Sequence, residues 1–62
     1  MQTYRIYWLD RHGRIKRGEW IEAQDDDDAR KQAEGLCDGA TPTIEVWNGP
    51  RHVDEIDCKA VH

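Results

Sequence analysis

The 62-residue sequence lacks serine entirely and has no glycine-rich loop of the kind that cradles phosphates. Three histidines and two cysteines are the main side chains left for nucleophilic or acid–base catalysis. A Cys–His pair could still form in space, but the sequence carries no catalytic motif. This inventory favours a protein that is not an enzyme.

Long apolar runs and a targeting segment are also missing. No run approaches the roughly 20 apolar residues that span a bilayer. The stretch "MQTYRIYWLD" has neither a basic leader nor an apolar segment with a cleavage site. We therefore expect a cytoplasmic protein that does not bind membranes. Because two cysteines are too few for a disulfide framework, Cys37 and Cys58 are expected to be free thiols in that reducing compartment.

Metal ligands at clustered spacing are absent as well. The local pairs of ligand-type residues are Cys58 with His62 and His52 with Asp54. Structural zinc normally takes four ligands in closely spaced pairs, and neither pair fits that pattern. The sequence predicts no metal site and no cofactor.

The charge that is present is unevenly distributed. Residues 1–17 carry five basic side chains and one acidic side chain, whereas residues 18–62 carry twelve acidic and four basic ones, which gives a net charge of −4. Such asymmetry steers partners of either sign, although a solvated surface without a partner produces the same pattern.

A chain of this length forms a single small domain, residues 1–62, with a small core. The segments "TYRIYWLD" and "IKRGEWIEA" alternate as strands do, and "DRHGR" supplies the turn of a hairpin. Gly13 suits a positive φ angle in a loop of three to five residues. The tip would then expose Arg11, His12 and Arg14.

Four consecutive aspartates, Asp25 to Asp28, present two alternatives: a divalent-cation site or the start of a helix. After them, apolar and small residues recur at helical spacing at Ala29, Ala33, Leu36 and Cys37. This stripe predicts a helix from about Asp26 to Leu36, with Asp25 or Asp26 as its cap and Cys37 as a small buried residue at its end. A calcium loop alternates its ligands around a glycine, whereas contiguous carboxylates diverge around a helix. We expect a structural role.

The segments "TIEVW" and "RHVDEIDC" predict a third and a fourth strand around the turn "NGP". Asn48-Gly49 would suit a two-residue type I′ turn, but Pro50 would then fall where the ladder needs an amide N–H. We therefore expect a looser turn or a bulge.

The strand phases predict the faces of the sheet. One phase is apolar and should pack against the helix; it contains Tyr4, Ile6, Trp8, Ile21, Ala23, Ile44, Val46 and Val53. The opposite phase carries Tyr7, Trp20 and Trp47 among the charged residues Arg5, Lys16, Glu22 and Glu45. A right-handed crossover through the helix predicts an α+β, ββαββ two-layer sandwich, with one helix on a four-stranded antiparallel sheet of order 2-1-3-4. Such a fold offers no deep cleft for catalysis.

The segments "YRIYWLDRHGRI", "EWIEAQDDDDA" and "IEVWNGPRHV" resemble a group of short uncharacterised proteins from alphaproteobacteria. These proteins share an aromatic hairpin, a Glu-Trp-Ile-Glu-Ala strand end, an acidic helix start and a Glu-Val-Trp strand. The resemblance covers most of the chain. It implies a single domain and transfers no catalytic motif.

Two functional hypotheses follow from the faces. In the first, the protein is a small binding or regulatory module that engages a protein partner, or itself as a weak homodimer, through Tyr7, Trp20, Trp47 and Arg5. In the alternative, a basic hairpin tip binds single-stranded nucleic acid through its phosphates; its residues are Arg11, His12, Arg14, Lys16 and Arg17. The net charge of −4 argues against nucleic acid.

Overall fold

A computed structural model describes residues 1–59. In this part of the chain one helix packs on a four-stranded antiparallel sheet of order β2-β1-β3-β4. The predicted ββαββ arrangement is therefore confirmed. The elements are β1 (Gln2–Leu9), β2 (Ile15–Ala23), α1 (Asp26–Gly35), β3 (Thr43–Asn48) and β4 (Arg51–Asp57).

The core lies between α1 and one face of the sheet, which we call the covered face. The apolar phase predicted from the sequence lies there, with Ile21 and Val53 half-buried and packed against the core. Ile56 is a further core residue that the strand pattern did not indicate. The buried cluster consists of Tyr4, Ile6, Trp8, Ala23, Ala29, Ala33, Ile44, Val46 and Ile56.

The first hairpin closes through its own aspartate. Gly13 has a φ of +80°, as expected for a glycine in this turn. The Asp10 carboxylate accepts the backbone N–H groups of His12 at 2.8 Å and Arg14 at 3.0 Å. Trp8 pairs with Arg17 and Leu9 pairs with Ile15, so the intervening Lys16 forms a bulge.

The second hairpin is tighter than the sequence indicated. Asn48 pairs with Arg51, which leaves a two-residue turn of Gly49 and Pro50, and Gly49 has a φ of +59°. A glycine at the first central position is typical of a type II′ turn, and the second position needs no N–H group, so Pro50 fits there. The expected looser turn is therefore wrong. A bulge does occur three residues later, at Val53, because Trp47 pairs with His52 and Val46 with Asp54.

Helix α1 begins as predicted and ends one residue early. Asp25 is the N-cap, and its carboxylate accepts the Asp28 N–H at 2.8 Å. Ala29 and Ala33 are buried, whereas Leu36, predicted to continue the stripe, is 38% exposed at the C-cap. None of the helices formed by residues 1–59 has the length and apolar composition needed to cross a bilayer.

The two cysteines are joined in a disulfide bond, with their Cα atoms 5.5 Å apart. The expectation of free thiols is therefore wrong. Both residues are half-buried and pack against the core. The bond ties the segment that follows α1 to the end of β4, a proximity that arises only when α1 lies across the sheet.

Candidate functional site

The face of the sheet opposite α1, which we call the open face, is not covered by any element within residues 1–59. Its strand register lines up four large side chains in one row across the sheet. Arg5 pairs with Trp20 on one side and Trp47 on the other, and Trp47 pairs with His52. We call Trp20, Arg5, Trp47 and His52 the aromatic row.

A second row lies beside the first, one step along the open face. Tyr7 pairs with Gly18 on one side and with Glu45 on the other, and Glu45 pairs with Glu55. We call Gly18, Tyr7, Glu45 and Glu55 the glutamate row. It places two carboxylates directly opposite each other on β3 and β4, an arrangement of like charges that destabilises a strand pair.

The Arg5 side chain extends from the aromatic row toward Gly18 of the glutamate row. Its guanidinium carbon is 4.6 Å from the Trp20 ring centroid and 5.3 Å from that of Tyr7, within cation–π range. A Cβ atom at Gly18 would lie 2.7 Å from Arg5 Nη2, so this glycine leaves the space that the guanidinium occupies. Within residues 1–59 no acceptor hydrogen-bonds or ion-pairs with Arg5, and its donors remain available.

The two tryptophans of the aromatic row differ in exposure. Trp20 is 64% exposed. Trp47 is half-buried; its indole N–H donates to Glu45 Oε1 at 3.1 Å, and its ring centroid lies 4.9 Å from that of His52. The structure thus brings Arg5, Tyr7, Trp20 and Trp47 together on one face, as the strand phases predicted.

The basic residues of the first hairpin do not share one surface. Arg11, His12 and Arg14 are exposed at the tip, as predicted. Lys16, assigned to the open face from the sequence, instead donates from its bulge to the Ala40 carbonyl at 3.4 Å. Arg17 lies on the covered face, 4.5 Å from the Trp8 ring centroid, and pairs with Glu19.

Each of the four aspartates has a structural partner. Asp25 caps α1, and Asp28 accepts the Gln24 backbone N–H at 2.9 Å. Asp27 forms ion pairs with Arg30 and, at 3.4 Å, with Lys31. No group of metal-ligating side chains occurs in the part of the chain that the structure describes, and His62 lies outside it.

Asp26 links the helix to the sheet. It accepts the Tyr4 hydroxyl at 2.8 Å and two Arg51 N–H groups at 2.8 and 3.0 Å. The hydrogen bonds from Arg51, followed by that from Tyr4, lower the pKa of Asp26 to about 2. Burial, and then the bond to Asp26, raises the pKa of Tyr4 above its ordinary value.

A cavity of about 400 Å³ lies beside the disulfide, between the hairpin tip and the loop that follows α1. Its charged lining consists of Asp38, Arg11 and Lys59. The Asp38 carboxylate already accepts the Ala40 N–H at 2.9 Å, and this bond holds its pKa below the usual range. The cavity lining contains no histidine and no free thiol, so it lacks the usual pair of nucleophile and base.

Comparison of the chain with models of known families, with curated proteins and with solved structures finds no match. The resemblance to the alphaproteobacterial group therefore stays a prediction.

Proposed function

We propose that this protein is a small binding or regulatory module whose open face engages a protein partner or a second copy of itself. The observation that carries the proposal is the placement of Arg5, which lies between Trp20 and Tyr7 without an acceptor in residues 1–59. The proposal assigns no catalytic step.

The chemistry of these residues supports a protein partner. Tryptophan, tyrosine and arginine are the residues that most often dominate the energy of protein–protein interfaces. The indole of Trp20 presents a large apolar surface to solvent, and covering it releases water without breaking any hydrogen bond in the fold. The guanidinium of Arg5 is already held over two rings, so less side-chain entropy is lost when a carboxylate binds it.

The nucleic-acid alternative has less support. Binding of single strands combines phosphate contacts with base stacking on one groove. The exposed side chains of Arg11, His12 and Arg14 lie at the hairpin tip, whereas Trp20 lies toward the far end of β2 and Arg17 contacts the covered face. A salt titration with labelled single-stranded DNA and RNA tests this alternative, which requires binding that weakens steeply with salt.

Affinity capture with matched baits tests the proposed function. The wild-type chain, Trp20→Ser and the control Leu36→Ser are immobilised and exposed to extract from the native cells. Leu36→Ser also replaces an exposed apolar residue, but at the end of α1 on the other side of the sheet. A specific protein should be retained by the wild type and the control and lost with Trp20→Ser. Equal retention by all three baits contradicts the proposal.

A further inference from the structure

We propose that the occupant of the open face is the open face of a second copy, bound face to face about a two-fold axis that runs parallel to the strands between β1 and β3. This inference rests on the proposed function, because it names the partner of the same surface. It derives from the way charge is divided between the two halves of that surface.

The open face carries its one arginine on one half and only acids among its charged side chains on the other. The half formed by β1 and β2 carries Arg5 and, two residues beyond Trp20, Glu22, while the half formed by β3 and β4 carries Glu45 and Glu55. Within residues 1–59 neither Glu45 nor Glu55 has a cationic partner, and Arg5 has no anionic one. Each copy therefore presents an arginine and two glutamates that have no partner of opposite charge within the same copy and that a second copy can pair.

The strand register determines which residues of the two copies would face each other. A two-fold axis parallel to the strands places β1 over β3 of the second copy and β2 over β4 of the second copy. It does not change the position of a residue along the strand direction. Because Gly18, Tyr7, Glu45 and Glu55 form one row, Gly18 comes to lie opposite Glu55 of the second copy, and Tyr7 opposite Glu45.

The guanidinium of Arg5 lies above Gly18 and thus at the level of the glutamate row. In the pair of copies it faces the two carboxylates of the second copy across packed sheets, which stand about 10 Å apart. The same operation places Trp20 opposite His52 of the second copy. Two-fold symmetry makes every such contact twice.

The other two-fold arrangement of the faces has its axis in the plane of the sheets but perpendicular to the strands. It would place each strand over its own copy, so that Glu45 and Glu55 would face only β3 and β4, which carry no lysine or arginine on this face. Like charges held in close contact oppose binding. Charge therefore selects the axis that runs parallel to the strands.

The size of the face sets the strength of association. The longest dimensions of the Cα trace are 30 and 24 Å, so contact over the whole face would only be comparable to the roughly 800 Å² per partner found in stable complexes, and contact over part of it would be smaller. The two copies should therefore form a weak dimer that dissociates on dilution.

Sedimentation measured between roughly 1 μM and 1 mM tests the proposal, because weak interfaces dissociate in this range. The wild type should pass from monomer to dimer. Arg5→Glu alone, and Glu45→Arg with Glu55→Arg, should each associate about tenfold or more weakly, because like charges then meet twice. An equimolar mixture of the two variants should form a heterodimer, since both contacts regain opposite charges.

Two outcomes overturn self-association: a wild type that stays monomeric at the highest concentration, and a mixture that associates no better than its separate components. Neither outcome touches the proposed function, which stands if a different protein is captured in a Trp20-dependent way. Heteronuclear NMR spectra of each variant at low concentration verify that it is folded.

Gly18→Ala displaces the Arg5 guanidinium without changing the net charge of the protein. The added methyl group collides with the mobile end of Arg5, so the fold should keep its stability while association weakens several-fold. Gly35→Ala is the matched control, because its Cβ meets nothing within 4 Å, and it should associate like the wild type. Association of Gly18→Ala at the wild-type level overturns the role given to the position of Arg5.

Discussion

The two faces of the sheet differ in how the hydrogen-bond donors of their large side chains are paired. On the covered face, the Tyr4 hydroxyl donates to Asp26 and the Trp8 indole N–H donates to the Leu36 carbonyl at 3.3 Å. On the open face, the donors of Arg5 have no acceptor within residues 1–59. Because an unmet donor lowers stability only when water cannot reach it, the half-buried Arg5 is tolerated where a buried group would not be.

The contrast separates stability from binding. Side chains on the covered face hold the fold together, and their replacement should unfold it. Side chains on the open face leave the fold nearly unchanged, and their replacement should alter association. Four experiments test this separation.

The largest effect should come from the centre of the covered face. Ile6 is fully buried on β1, one of the two central strands, and Ile6→Ala should lower the free energy of unfolding by about 2 to 5 kcal/mol. A domain of this size is stabilised by roughly 3 to 9 kcal/mol, so the variant should be close to unfolding. Trp20→Ser should change stability by less than about 0.5 kcal/mol. Urea denaturation checks both values, and a larger loss in Trp20→Ser would contradict the separation.

The next effect should come from the disulfide, whose cysteines are separated by 21 positions. A closed loop of this length stabilises a domain by about 3 kcal/mol through the unfolded chain. Cys37→Ala with Cys58→Ala should therefore fold with reduced stability and associate like the wild type. Mass spectrometry after thiol blocking should find both cysteines unmodified until a reductant is added. Blocking of both without reduction would show that the bond is absent in the cell.

A smaller effect is expected at the helix start. Asp25→Ala removes the cap bond to Asp28 and should lower stability by about 1 kcal/mol. Millimolar calcium or magnesium should leave the melting temperature of the wild type unchanged, because the aspartates already have partners within the fold. A rise of several degrees would contradict the structural role of the run.

The last effect concerns how stability depends on acid. Because the folded state lowers the pKa of Asp26 from 3.8 to about 2, its contribution to stability is complete above about pH 4 and is lost as the pH falls through 2. Asp26→Asn should reduce the loss of stability between about pH 4 and pH 2. The melting temperature measured across this pH range checks this expectation, with Asp27→Asn as control because Asp27 pairs within α1. Identical acid profiles for Asp26→Asn and the wild type would contradict the assignment.

Much of the fold could be predicted because alternation and helical spacing are local signals. They gave the strand phases, and with them the face shared by Arg5, Tyr7, Trp20 and Trp47. The same alternation missed Ile56, because Val53 bulges and shifts the phase between the two residues.

Features that depend on a long-range contact could not be predicted. Cys37 and Cys58 meet only after α1 has crossed the sheet, and no spacing in the sequence encodes that approach. The hairpin bulge likewise turned Lys16 toward Ala40, which divided a basic segment that looks continuous in the sequence. The position of Arg5 over Gly18 has a sequence signal only in hindsight: a glycine inside a strand marks a close approach.

Because β1 lies between β2 and β3, one of its edges stays unpaired in a nascent chain until β3 has been made. β1 is synthesised first, yet β3, its second neighbour, begins at Thr43. At about 5 to 20 residues per second, ribosomes need roughly 1 to 5 seconds to make the chain from the end of β2 at Ala23 to the end of β3 at Asn48, whereas a hairpin closes in about 1 to 10 microseconds. Between the emergence of β2 and that of β3, the β1–β2 hairpin presents an unpaired edge on β1 beside the uncovered Ile6 and Trp8. Neighbouring nascent chains meet that edge as a template for strand pairing until β3 emerges and covers it.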